Sequence, residues 1–381
     1  MAGLYLHIPY CKSKCRYCDF VSFADCESMG EYCAALLKEM RLDAAALPKQ
    51  AYDTVFFGGG TPSILPVGAV AMLMDALRAS FEIMPDAEIT IEANPGTLNG
   101  TKLREYRAAG INRLSMGLQS TNDALLETIG RIHRYADFVQ NYECARAAGF
   151  TNISADLMYG LPGQTVKDHL DAIETLYRLG LNHISAYSLI VEEGTPLYTD
   201  VTGGAESLPA EDDVYLMHRR GMEFLETLGY VRYEISNYAK PGFASRHNLN
   251  YWENGIYLGL GLNSHSAMCI NGSWMRFANT ERLSDYIMSC NQGIRPLASE
   301  PEAIPRAEEM FETVMLGLRK TEGISEAAFR LRFGEEIEDV YPEALKSLAT
   351  RGWLVRDNGA CRLTDEGLDF QNEALLAFLP D

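Results

Sequence analysis

Residues 4–20 read LYLHIPYCKSKCRYCDF. Leu4 to Ile8 form a short apolar run of strand type, and the polar loop after it holds three cysteines, Cys11, Cys15 and Cys18. A loop at the C-terminal end of a strand is where parallel α/β sheets place their ligands. Structural zinc sites need four ligands, commonly from paired C-x2-C units, and no second Cys/His pair lies nearby. Iron–sulfur clusters are held by thiolates, usually one per iron in a four-iron cluster. Three thiolates would therefore hold a [4Fe–4S] cluster and leave one iron open to a substrate or cofactor. Phe20, two residues past the last cysteine, stands where a fourth thiolate could have been.

Working outward, the strand–turn–helix pattern recurs through the first 190 residues. The expected strands are LYLHI (4–8), TVFFG (54–58), EITIEA (88–93), NRLSMG (112–117), NISADLM (152–158) and HISAYSL (183–189). Amphipathic segments such as 31–47, 70–80 and 168–180 lie between them. Strands alternating with helices indicate right-handed βαβ units around a parallel sheet. Six units give an α/β fold, either an open sheet or a curved partial barrel.

Beyond residue 190 the pattern loosens. A helix is expected near 211–228, a strand at 230–236 (YVRYEIS), and a loop-rich stretch holding HNLNYW (247–252) and GLGLNSHS (259–266). Three prolines in GIRPLASEPEAIPR (293–306) mark a boundary. The expected domains are thus 1–295 and a helical, winged-helix-like module over 300–381. Residues 301–381 carry 9 basic against 17 acidic side chains, the wrong sign for a DNA-recognition helix. The module reads as a lid or docking domain.

The whole chain has 33 Lys and Arg against 52 Asp and Glu, a net charge of −19. That balance opposes non-specific binding to nucleic acid or to anionic lipid. No apolar run approaches the length of a membrane span, and the first strand begins too early for a secretory signal. The remaining cysteines are scattered as small core hydrophobes, which fits a reducing, cytoplasmic setting.

The C-x3-C-x2-C motif after the first strand of an α/β repeat resembles the radical S-adenosylmethionine (SAM) superfamily. There the amino and carboxylate groups of SAM chelate the open iron of a [4Fe–4S] cluster. The resemblance narrows to the coproporphyrinogen III oxidase-like branch through HIPYCKSKCRYCDF, FFGGGTPS, IEANPG, RLSMGLQS and DLMYGLPGQT, and it covers essentially the whole chain. It implies a partial (β/α)6 barrel. It further implies that Tyr5 and the backbone near Tyr17 flank the cluster and SAM, and that Gly59, Gly60 and Thr61 meet the methionyl amino end. Glu92 would hold a ribose or amino group, Gln119 and Asp156 the ribose, and Arg131 the SAM carboxylate. Taken singly, Glu92 and Asp156 could equally cap helices, and Arg131 could be a solvated surface charge.

Within this branch a catalyst and a carrier compete. The oxygen-independent oxidase converts propionate side chains to vinyl groups. Its motif continues C-x3-C-x2-C-x-C, and an extension precedes its first strand. The HemW-type haem chaperones carry H-N-x-x-Y-W, which HNLNYW matches in full. Phe20, the three residues ahead of the first strand and HNLNYW favour the carrier. His247 is then the expected haem ligand, since imidazole is a standard one, with Tyr251 and Trp252 as flat apolar surface. His265 is a second candidate, in a GLGLNSHS stretch that departs from the smaller residues expected there. This reading implies haem as cargo, haem-acceptor proteins and a one-electron donor, and it is compatible with a homodimer.

Overall fold

Six parallel strands, each followed by helix, curve into one wall. In the computed structural model, which describes residues 1–379, they are β1 (Ala2–Ile8), β2 (Ala51–Gly59), β3 (Glu82–Ala93), β4 (Arg113–Gln119), β5 (Asn152–Tyr159) and β6 (His183–Ser188). The sheet continues past β6 through β8 (Asn237–Ala239) to β7 (Val231–Arg232), both antiparallel additions. Past β1 it continues through β9 (Ile256–Leu260), β10 (His265–Ile270), β11 (Ser273–Ala278) and β12 (Glu302–Ala303). The ends of this twelve-stranded sheet do not pair with each other, so the α/β barrel is partial, as the family resemblance implied.

The two faces of the wall differ in chemistry. Side chains alternate along a strand, and Leu114, Met116 and Leu118 of β4 turn to the helical layer with Ile89, Ile91, Ile153, Ala155 and Ile184. The other face is polar. Thr90 and Glu92 pair with Arg113 and Ser115, which pair with Asn152 and Ser154, and Asp156 pairs with Ser185. A parallel sheet covered on both faces is normally apolar throughout. A polar inner face is therefore a ligand-facing one.

Several expectations for the second half change. HNLNYW does not lie in a loop: it is the helix Arg246–Trp252, with Ser245 Oγ capping Asn248 N. The segment 230–236 is not one strand, since only Val231–Arg232 pairs before the chain turns into β8. GLGLNSHS spans the end of β9 and the start of β10. Asn263 takes a left-handed φ of 54° in the turn between them, a conformation asparagine tolerates better than most residues. Gln119, beyond the expected strand 112–117, is the last residue of β4.

A second hydrophobic core, centred on Val314, Leu318, Phe329, Leu348 and Phe378, lies apart from the barrel's. It is enclosed by helices including Arg306–Gly317 and Pro342–Thr350. A small antiparallel sheet, of β13 (Ile324–Ser325), β14 (Leu354–Asp357) and β15 (Ala360–Leu363) in the order β13-β15-β14, completes it.

Candidate functional site

The cysteine loop is tied to itself and to the sheet. Phe23 N donates to Pro9 O at 2.8 Å and Cys11 N to Phe23 O at 2.9 Å, while Tyr10 is fully buried beneath, its hydroxyl 2.9 Å from Ser28 Oγ. Cys11, Cys15 and Cys18 are free thiols that line one cavity of about 570 Å³. Thr61 Oγ1 donates to Cys11 Sγ at 3.4 Å and Arg131 Nη1 to Cys15 Sγ at 3.3 Å. Among the described residues no three metal-ligating side chains converge on a single ion. A multi-iron cluster does not require that, because each thiolate binds its own iron. The donor set fits a [4Fe–4S] cluster with one open iron.

The turn after β2 sets the neighbouring wall. Gly60 N donates to Ile8 O at 2.9 Å, drawing the turn against the cysteine loop. A Cβ on Gly60 would stand 2.7 Å from Tyr10 O and 3.0 Å from Cys11 Sγ, so only glycine allows that approach. Gly59 adopts a φ of 109°, and a Cβ there would meet the His7 ring at 2.8 Å. Thr61 is held by Asn94 Nδ2, which donates to its hydroxyl at 2.8 Å, and Asn94 Oδ1 accepts from Arg131 Nη2 at 2.7 Å. Arg131 Nη2 also donates to Gly117 O, and its Nε is buried with no partner. A guanidinium fixed on a thiolate ligand, with an unsatisfied N–H, suits a bidentate carboxylate.

Gln119 carries the only left-handed non-glycine backbone within the parallel strands (φ 74°), at a bulge where β4 slips against β5. Such strain clusters at functional sites. It directs the amide so that Oε1 accepts from Tyr187 OH at 2.9 Å on the cavity wall. Burial pushes the Glu92 carboxyl up to about 8, aided by Asp156, against the Gly59 N–H and Arg113. Asp156 is pushed up to about 6 by burial, against hydrogen bonding to Ser185 and the Arg113 and Arg131 charges. Buried carboxyls facing a cavity can donate to or accept from ligand hydroxyls without a counterion.

Cys11, Cys15, Cys18, Tyr17, Gly59, Gly60, Thr61, Glu92, Gln119, Arg131 and Asp156 all line this cavity. Tyr5 does not: it stacks beside Phe56 on the same face of the sheet, its hydroxyl 3.2 Å from His7 Nδ1. His247 does not reach the cavity either. It is 1% exposed, with Nδ1 2.8 Å from Thr54 Oγ1 and Nε2 3.1 Å from Tyr251 OH. Its ring stacks on Phe56 at 5.0 Å. Burial, then the Arg113 charge, pushes the imidazole down to about 3. Both ring nitrogens are engaged, so the expectation of a haem-ligating imidazole is not met in this arrangement. HNLNYW reaches the cavity through Asn248 instead. His265 is exposed on β10, away from the lining. The mouth carries apolar side chains in water: Phe20, 62% exposed, and Ile190, 67% exposed.

Several lining residues had no expected role. Asn94 joins Thr61 to Arg131, though its motif, IEANPG, was visible. Arg113, Ser115 and Gly117 precede Gln119 at alternate positions of β4, so strand periodicity alone places them on the same face.

Cluster-binding loop, glycine turn and polar inner face of a partial barrel together define a radical SAM protein. The family model described as the radical SAM superfamily matches residues 5–176, and that of the HemN C-terminal domain residues 304–370. The chain is 39% identical to the heme chaperone HemW of Bacillus subtilis (strain 168), over 100% of this chain and 99% of the relative. It is 34% identical to heme chaperone HemW of Escherichia coli (strain K12), over 100% and 98%. It is also 34% identical to bovine radical S-adenosyl methionine domain-containing protein 1, mitochondrial, over 99% and 87%. The chain belongs to the HemW family of radical SAM proteins. The solved coproporphyrinogen III oxidase HemN of Escherichia coli superposes with a TM-score of 0.82 at 23% identity, covering 99% of this chain and 89% of that one, and shares the fold. Membership implies a [4Fe–4S] cluster and SAM. Among the described residues no helix is long and apolar enough to cross a membrane.

Proposed function

We propose that this chain is a haem chaperone, which binds haem and delivers it to acceptor proteins on a scaffold holding a [4Fe–4S] cluster and SAM. The observation that carries the reading is full-length identity of 39% to a heme chaperone, against a fold likeness alone to the oxidase. Phe20 supports it from the site, presenting a phenyl ring at the mouth where the oxidase motif has a fourth cysteine.

Cys11, Cys15 and Cys18 would bind three irons, and the amino and carboxylate groups of SAM the fourth. The cluster supplies a single electron when reduced. The protein's part is to orient. Gly59 to Thr61 bring backbone groups to the amino end, Arg131 faces the carboxylate from beside Cys15, and Glu92, Gln119 and Asp156 offer hydroxyl partners for the ribose. Tyr17 covers the cluster side, and Tyr5 supports the wall beside Phe56 through its contact with His7. Phe20 and Ile190 give the macrocycle apolar contact at the mouth. His247 serves in this reading as a positioning residue, holding the helix that presents Asn248. The reading calls for haem-acceptor proteins and a one-electron donor. It places the protein in the cytoplasm, which its nine free thiols favour. We take residues 1–295 and 300–381 as the two domains, the second docking such partners.

The test has two parts. Anaerobic reconstitution should give about four iron and four sulfide per chain, lost in a triple Cys→Ala variant, and haem titration should shift the Soret band. Vinyl-bearing product formed from coproporphyrinogen III with SAM under reducing, anaerobic conditions would replace the carrier with the oxidase.

A further inference from the structure

The polar inner face holds a second guanidinium besides that of Arg131. Arg113 opens β4 and is 2% exposed, yet it lines the cavity. Its Nε has no hydrogen-bond partner, and none of the ion pairs among the described residues includes it. A buried guanidinium without a direct ion-pair partner is costly, so a group that pairs with it would bind strongly. Its register partners on the neighbouring strands also carry buried atoms without a partner, Thr90 Oγ1 and Asn152 Oδ1, and Asn237 lines the cavity wall. Ser115, Ser185 and Asn248 line the same wall.

This group is separate from the Arg131 end. Arg131 contacts Gly117 O, and Arg113 lies four residues down the same strand, about 13 Å at 3.3 Å per residue. The two side chains meet the strand at different depths, although both charges act on Asp156. Two carboxyls share the pit. Burial pushes both Glu92 and Asp156 toward their neutral forms. The two guanidinia thus stand beside carboxyls biased toward neutrality, which leaves room for an anion.

We propose that Arg113 forms the floor of a second carboxylate subsite, which takes a propionate arm of the haem entering past Phe20 and Ile190. The proposal rests on the haem reading and adds the group by which the cargo is recognised. It gives the polar inner face a role at a depth SAM does not need, and leaves iron coordination to be supplied elsewhere.

The experiment is a thermodynamic cycle: free haem and haem dimethyl ester, in which both propionates are esterified, titrated into the full chain and into Arg113→Met and Arg113→Lys. In the wild-type protein, esterification should weaken binding by about tenfold or more, the factor expected when a buried charged pair is broken. Arg113→Met should weaken free haem by a similar factor and leave the ester unchanged, Arg113→Lys should recover part of the loss, and SAM affinity should hold within about twofold. Should Arg113→Met lose its native circular dichroism, the wild-type comparison of haem with its ester and the lysine variant decide. Equal affinity of haem and ester for the wild-type protein overturns the subsite while leaving the haem reading intact. Loss of SAM rather than haem affinity in Arg113→Met reassigns the residue to SAM. A wild-type chain with no Soret response overturns the haem reading, and the subsite with it.

Discussion

His247 ties its helix to the sheet. Its two nitrogens join Thr54 of β2 to Tyr251 of its own helix, and its backbone N–H donates to Glu88 of β3 at 3.1 Å. The ring sits so close to β1 that a Cβ on Gly3 would meet it at 3.0 Å. His247→Ala removes these bonds and leaves a void, a loss of about 2–4 kcal/mol in denaturant unfolding. The Soret maximum of haem-loaded protein should stay where it is, and its displacement in a variant with intact circular dichroism would make His247 an iron ligand. Glu92 gives a second prediction. Its folded pKa, about 8, lies above the ordinary 4.5, chiefly through burial. Its contribution to stability is therefore complete below about pH 4.5 and lost as pH rises through about 8. Glu92→Gln should flatten the decline of stability across that window by an amount of the order of a few kcal/mol. Parallel Tm profiles for both proteins between pH 5 and 9 would show that Glu92 does not titrate there.

Among elements, the turn after β2 is the tightest fit. Gly60→Ala puts a methyl group against Tyr10 O and Cys11 Sγ, and both are fixed, so the cysteine loop must move. Reconstituted variant should hold well under half the wild-type iron while its melting temperature falls by only a few degrees, and full iron content would show that the loop yields. This turn and strands β1–β6 were legible in the sequence because apolar runs, glycines and helices alternate there with clear periods. The polar face of β4 was legible too, since Arg113, Ser115, Gly117 and Gln119 fall on alternate positions. The HNLNYW helix was not. Seven residues containing His, Asn, Tyr and Trp have weak helix propensity, and the helix exists because Ser245 caps it and Glu88 accepts from its first N–H groups. Strands β9 to β12 escaped for a similar reason: a short, glycine-containing segment is a strand only because β1 offers an open edge.

In the whole molecule, that same helix stands between the cavity and the C-terminal unit. Asn248 lines the cavity, while Trp252 lies under the Arg319 guanidinium at 5.5 Å. Two residues on, Asn254 Nδ2 donates to Thr313 Oγ1 at 3.1 Å and its carbonyl accepts from Arg332 Nη1 at 2.7 Å. Arg332 also pairs with Glu309 at 2.8 Å and covers the Trp274 ring at 4.5 Å. One side chain thus clamps the C-terminal unit onto both the helix turn and β11. Arg332→Ala should cost about 1–2 kcal/mol and speed proteolytic cleavage within residues 293–306, where the chain passes between the two cores. If the helix transmits that loosening, haem affinity should fall several-fold in this variant although Arg332 is not on the cavity wall. Faster cleavage with unchanged haem affinity would mean that the two units meet at this helix but do not communicate through it. The C-terminal unit would then act on partners rather than on the cargo.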